Sequence, residues 1–257
     1  MAPPNRSAKQ RLKIRRIRIT GWTALSSLLV TIVGFLVWAY TPYPDQPEPL
    51  RDLFAREEVA WSITPDLVVM APINQDGPLE GEAMVFLPGA RVSPHAYAAT
   101  FHEVVTETGL TVLVPRPLAN LALADGRSVD DFQQLIPDTP ITMVGGHSMG
   151  GVRACSLALH PDVERLVLMA SYCASDLQET TLTVLSVQGS EDELIDQDEL
   201  AAARALMPEN YREVTIEGAS HASFADYGPQ SGDGTPKLSR AEAIEAITTL
   251  LVPDLTN

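Results

Sequence analysis

Three patterns of apolar and polar positions divide this chain. The first is an uncharged stretch over residues 19–40, ITGWTALSSLLVTIVGFLVWAY. As a helix it spans about 33 Å at about 1.5 Å per residue, enough for a bilayer core. The second is 41–49, where four of nine residues are proline. That composition predicts an extended spacer. From Val59 onward, short apolar runs alternate with amphipathic ones. The runs predict strands over 59–64, 67–71, 82–87, 110–114, 141–144, 163–170, 183–187 and 211–216. They predict helices over 94–108, 129–136, 152–160, 197–207 and 239–251. The strand at 163–170 is apolar except for Glu164 and Arg165, as a strand covered on both faces should be. Strand–helix alternation predicts a mostly parallel central sheet with helices on both faces.

Charge sharpens the reading of the first pattern. The first 18 residues carry seven basic side chains and no acidic one, and the remainder carries 11 basic against 33 acidic, a net of −22. A basic flank before an apolar span predicts a cytoplasmic N-terminus and an exported body. Trp22, Trp38 and Tyr40 lie near the ends of the span, where aromatic rings favour the membrane interface. A signal peptide, followed by secretion, is the alternative. Its apolar region would be shorter, and Val37-Trp38-Ala39-Tyr40 offers no good small-x-small cleavage site. The expected organisation is a cytoplasmic tail (1–18), a single membrane-spanning anchor (19–40), a Pro-rich linker (41–58) and one folded domain (59–257). The acidity of the body argues against nucleic acid as a partner.

Two cysteines occur, Cys155 and Cys173. Cys155 falls among Val152, Ala154, Leu157 and Ala158 of a predicted helix, where a small buried thiol is the commoner reading. Export leaves a disulfide between the two as the alternative. No CxxC or His/Cys cluster suggests a metal.

The chemistry concentrates in Gly145-Gly146-His147-Ser148-Met149-Gly150-Gly151, between the strand at 141–144 and the helix that follows. A serine at a sharp strand-to-helix turn holds a strained backbone and an exposed hydroxyl. Flanking glycines let strand and helix approach closely. The helix N-terminus turns free N–H groups toward a developing oxyanion.

A serine hydroxyl is a weak nucleophile without a base, and the base needs an acid to orient it. With a strand–serine–helix turn of this kind they follow the serine, acid before histidine, at the C-terminal ends of later strands. Asp192 follows the strand at 183–187 and a turn through Gly189, and is the candidate acid. Glu191, Glu193, Asp196 and Asp198 compete with it. His221 follows the strand at 211–216 and precedes the last helix, and is the candidate base. His95 and His102 precede the serine, His160 ends a helix, and His147 is expected to pack. The backbone N–H of Met149 is one oxyanion donor. The other is expected from Pro88-Gly89-Ala90-Arg91, by way of Gly89 or Ala90, since proline has no N–H. Asp233, between two glycines, is read as a turn residue rather than a calcium ligand.

With LPGA, GGHSMGG, QGSEDELI and EGASHASFADYG in this order, the chain resembles the α/β-hydrolase superfamily over roughly residues 59–252. It is similar to small single-domain serine hydrolases with a membrane anchor. The resemblance implies ester hydrolysis through an acyl-enzyme on Ser148, with Asp192 and His221 completing a triad. The substrate would be a small-molecule ester or acyl compound, and neither a cofactor nor a metal is called for. One departure stands out. Only 171–181 separate two successive strands where many relatives insert a cap, so no cap domain is expected. An acyltransferase, or a peptidase or amidase, could use the same triad. A catalytically silent binding module on this scaffold is the alternative from another class.

Overall fold

The computed structural model describes residues 8–44, 53–74 and 76–257. Residues 1–7 of the expected tail and 45–52 of the expected linker lie outside them. The chain forms two compact units, Met1–Thr41 and Pro42–Asn257.

The first unit is one helix, α1 (Ala8–Tyr40). Its segment Arg18–Tyr40 is long and apolar enough to cross a membrane, a test that a signal sequence also passes. Nearly all of its apolar side chains are exposed, Trp22, Leu29 and Val30 among them.

The second unit is built on eight strands: β1 (Val59–Ile63), β2 (Leu67–Pro72), β3 (Ala83–Leu87), β4 (Thr111–Pro115), β5 (Ile141–His147), β6 (Arg165–Met169), β7 (Thr183–Gly189) and β8 (Tyr211–Ile216). Their order is β1-β2-β4-β3-β5-β6-β7-β8. β2 runs antiparallel to β1 and β4, and the other pairings are parallel. The helices are α2 (Ala98–Thr108), α3 (Val129–Gln133), α4 (Met149–Leu157), α5 (Gln197–Arg204) and α6 (Arg240–Thr256). Between β6 and β7 there is no helix, and no cap is inserted there.

Alternation along the central strands builds two cores. Met84, Phe86, Met143, Val167 and Met169 point to one face, with Phe101 of α2 and Ile247 and Leu251 of α6. Val85, Leu87, Val144, Leu166 and Leu168 point to the other, with Ala154 and Leu157 of α4. Side chains i and i+2 share a face of a strand, so an unbroken apolar run must be covered twice.

This topology locates the site. From β3 the chain crosses to β4 on one side, then returns to β5 on the other. The loops leaving β3 and β5 therefore diverge to opposite faces and open a crevice at their carboxyl ends. Leu87 lies beside Gly146 in the register, which brings the Pro88–Arg91 turn next to the serine turn.

The reading of Cys155 as a separate buried thiol is corrected. Cys155 on α4 and Cys173 after β6 form a disulfide, with Cα atoms 5.6 Å apart. The helix folds back over β6, so residues 18 apart in sequence meet on one face of the sheet.

Candidate active site

Ser148 is the residue between β5 and α4. Its φ is 53° and its ψ −126°, a region that L-residues rarely occupy. Its neighbours hold it there. The Ser148 N–H donates to the Met169 carbonyl at 2.9 Å. Its own carbonyl accepts from Ser171 Oγ at 2.7 Å. The glycines are required by contact: a Cβ on Gly146 would stand 2.2 Å from the Gly150 carbonyl carbon, and one on Gly151 2.3 Å from Ser171 Oγ.

Asp192 and His221 meet at the ends of β7 and β8. His221 Nδ1 and Asp192 Oδ2 are 2.8 Å apart, and both side chains are almost fully buried. Asp192 Oδ1 accepts from the N–H groups of Leu194 and Ile195, at 2.8 and 3.0 Å. One oxygen is thus fixed by backbone while the other faces the imidazole. The competing acids are occupied or distant: Glu191 pairs with Lys237 at 2.7 Å, Asp196 caps α5, and Glu193 and Asp198 are exposed. His221 Nε2 is buried and makes no hydrogen bond, to Ser148 or to any other described residue. Such bonds are often long before a substrate is bound.

The two oxyanion candidates after β3 separate. The Gly89 N–H donates to Tyr97 Oη at 2.9 Å and is buried. The Ala90 N–H has no acceptor among the described residues. Met149 opens α4, so its N–H has no acceptor within the helix. Of the expected donors, Ala90 and Met149 keep a free amide, while the Gly89 N–H is taken by Tyr97.

Of the other histidines, His160 lies three residues beyond the end of α4 rather than in its last turn. His102 is buried within α2, and His160 lies 3.4 Å from Asp130. Among the described residues, no three His, Cys, Asp or Glu side chains gather as a metal site would require.

Several supporting residues were missed by sequence reasoning. Asp233, read as a turn residue, takes the N–H of His221 on Oδ1 (3.1 Å) and that of Ala222 on Oδ2 (2.8 Å). Its flanking glycine was the available signal, because a Cβ on Gly234 would meet the Glu191 carbonyl at 1.9 Å. Tyr43, in the expected spacer, packs onto the crevice rim. Its N–H donates to the Arg91 carbonyl at 2.9 Å, the Arg91 guanidinium lies 4.6 Å from its ring centre, and the Tyr227 ring is 5.5 Å away. Tyr43→Ala is expected to destabilise the domain by about 1–2 kcal/mol through the lost ring contacts. A shift of the urea midpoint checks this, and an unchanged midpoint would remove Tyr43 from the domain's structural support.

A mostly parallel sheet with a strained serine at the end of its central strand β5, and an acid and a histidine after β7 and β8, has the layout of an α/β hydrolase. The alpha/beta hydrolase family model matches residues 83–245, and the chain belongs to that family. No curated protein matches the sequence significantly. Among solved structures, Est1E from Butyrivibrio proteoclasticus is similar over 78% of this chain and 100% of its own, with 15% identity and a TM-score of 0.51. XC6422 from Xanthomonas campestris, described as an a/b serine hydrolase without lid, is similar over 78% of this chain and 94% of its own, with 15% identity and a TM-score of 0.52. A ferulic acid esterase from Streptomyces cinnamoneus is similar over 73% and 80%, with 12% identity and a TM-score of 0.54. At these identities the likeness is one of fold.

Proposed function

We propose that this chain is an extracytoplasmic serine hydrolase that cleaves carboxylic esters through an acyl-enzyme on Ser148. One observation carries the reading. His221 is held by Asp192 through Nδ1 while its Nε2 keeps a free lone pair in a dry setting, on the rim that carries a strained serine. As substrate enters, Nε2 takes the Ser148 proton and Oγ attacks the ester carbonyl. Asp192 holds the imidazole in the tautomer this needs and stabilises the imidazolium. The N–H groups of Ala90 and Met149 receive the oxyanion. His221 returns the proton to the departing alcohol, then activates water to release the acid. An ester substrate is supported by the family and by the ferulic acid esterase among its structural neighbours.

The organisation proposed is a cytoplasmic tail, an anchor through 19–40, a linker and an exported catalytic domain. Seven basic residues before the span support this orientation. So does the Cys155–Cys173 disulfide, since such bonds persist in oxidising compartments.

The test uses the full chain in detergent, treated with a fluorophosphonate probe and assayed on p-nitrophenyl esters of graded acyl length. Wild type is expected to label at one site and to turn over ester. Ser148→Ala is expected to do neither. Equal labelling of both would overturn Ser148 as nucleophile. An unlabelled, inactive wild type would favour a binding module.

A further inference from the structure

Behind the crevice lies a buried chain of polar groups that the mechanism above does not use. The Gly89 N–H meets Tyr97 Oη at 2.9 Å, Tyr97 Oη meets His147 Nδ1 at 2.9 Å, and His147 Nε2 meets the His221 carbonyl at 3.0 Å. Tyr97 and His147 are both fully buried.

The two ends fix the direction of every bond. A backbone amide only donates and a backbone carbonyl only accepts. His147 must therefore carry its proton on Nε2 and offer a lone pair at Nδ1. Tyr97 must then donate to His147 and accept from Gly89. All polar atoms of the chain are satisfied in this one arrangement, and reversing any bond leaves a buried group unpaired. The surroundings enforce it. Burial first, and then the close approach of a second imidazole, His221, hold His147 well below the ordinary histidine range, so its ring is neutral. Burial holds the Tyr97 phenol well above its ordinary range, so it keeps the proton it donates. The His147 ring is enclosed by His221, Phe224, Tyr97 and Tyr227, with ring centres 4.8 to 6.2 Å away.

We infer that Tyr97 and His147 are positioning residues that lock the oxyanion turn and the catalytic base into one register. This rests on the assignment of Ser148 and His221 given above. At one end, binding of the Gly89 N–H fixes the turn so that the next amide, Ala90, is the one left for the oxyanion. At the other end, His147 holds the carbonyl of His221 while Asp233 holds its N–H. The base is therefore pinned through its backbone on both sides and through Nδ1 by Asp192. The nucleophile turn joins the same frame, because His147 immediately precedes Ser148. Small misplacements within such a frame cost about 100-fold in rate.

The test measures kcat and KM for the full chain with a p-nitrophenyl ester, normalised to folded protein by circular dichroism. Tyr97→Phe is expected to lower kcat about 10-fold, and His147→Leu about 100-fold, with KM within about two-fold of wild type. His147→Gln, whose amide can still donate to the His221 carbonyl, is expected to recover most of the loss. The pair Tyr97→Phe and His147→Leu together should be no worse than His147→Leu alone, as for members of one network. Variants that fold and retain wild-type kcat would overturn the inference, as would losses that multiply in the double variant. If His147→Leu does not fold, Tyr97→Phe and His147→Gln decide. An inactive wild type would overturn the assignment of Ser148 and this inference with it, whereas an active wild type with unaffected variants overturns this inference alone.

Discussion

His221→Ala is expected to lower kcat on an ester substrate by about a million-fold, and Asp192→Asn by about ten-thousand-fold. The two losses differ because the two groups do different things. In the proposed mechanism His221, oriented by Asp192, is the base, so its removal leaves the serine without one. Asp192, in the proposed mechanism, moves no proton. It accepts the Nδ1–H bond at 2.8 Å and faces the positive ring that forms during attack. An asparagine there can present its N–H₂ to Nδ1, which favours the tautomer with its proton on Nε2, the wrong nitrogen. Steady-state kinetics on folded variants check the ranking. A larger loss from Asp196→Asn or Asp198→Asn than from Asp192→Asn would move the acid elsewhere in the loop. The structure gives those two no bond to His221, since Asp196 is engaged with the N–H groups of Asp198 and Glu199.

How much of this was legible in the sequence depended on the range of the interaction. The serine turn is local. Strand, glycines and helix follow one another within about 20 residues; both elements are present, with β5 running on to His147 and α4 lying three residues earlier than the pattern put it, at Met149–Leu157. The strand order was less local, yet the apolar runs were enough to predict a mostly parallel sheet. Asp192 could be ranked above its neighbours because it follows a glycine turn at a strand end. What sequence hid were contacts between distant side chains. Tyr97 is 50 residues from His147, and nothing in its own neighbourhood marks it as a donor to a histidine. The choice between Gly89 and Ala90 was undecidable for the same reason, as it is Tyr97 that occupies one of them. Cys155 and Cys173 each fit an apolar setting, and only the fold of α4 over β6 brings them together. The end of the last helix moved as well. α6 continues to Thr256 through Pro253, because Leu255 still finds a buried place beyond the proline.

The serine turn is also where the fold is least tolerant of added atoms. Gly150→Ala is expected to destabilise the domain by about 3 kcal/mol or more. A Cβ there would lie 2.0 Å from the Leu87 carbonyl oxygen and 2.6 Å from the Pro88 carbonyl oxygen. Both obstacles are backbone, so no side-chain rotation relieves them. Either α4 moves away from the end of β3 or the Pro88–Arg91 turn moves away from the serine. Each movement separates Ala90 from Ser148, so the fraction that still folds should also lose activity, about 100-fold for a displacement near 1 Å. Gly126→Ala is the control: no atom lies within 4 Å of its added Cβ, and its stability should stay within about 0.5 kcal/mol of wild type. Urea midpoints followed by circular dichroism separate the two. Equal midpoints for Gly150→Ala and wild type would mean that the approach of α4 to β3 is looser than described, and that contact with the strand end does not set the strained backbone at Ser148. The glycine after the serine and methionine thus serves two ends at once: it lets the helix dock, and its docking sets the distance between Ser148 and the amide proposed to receive the oxyanion.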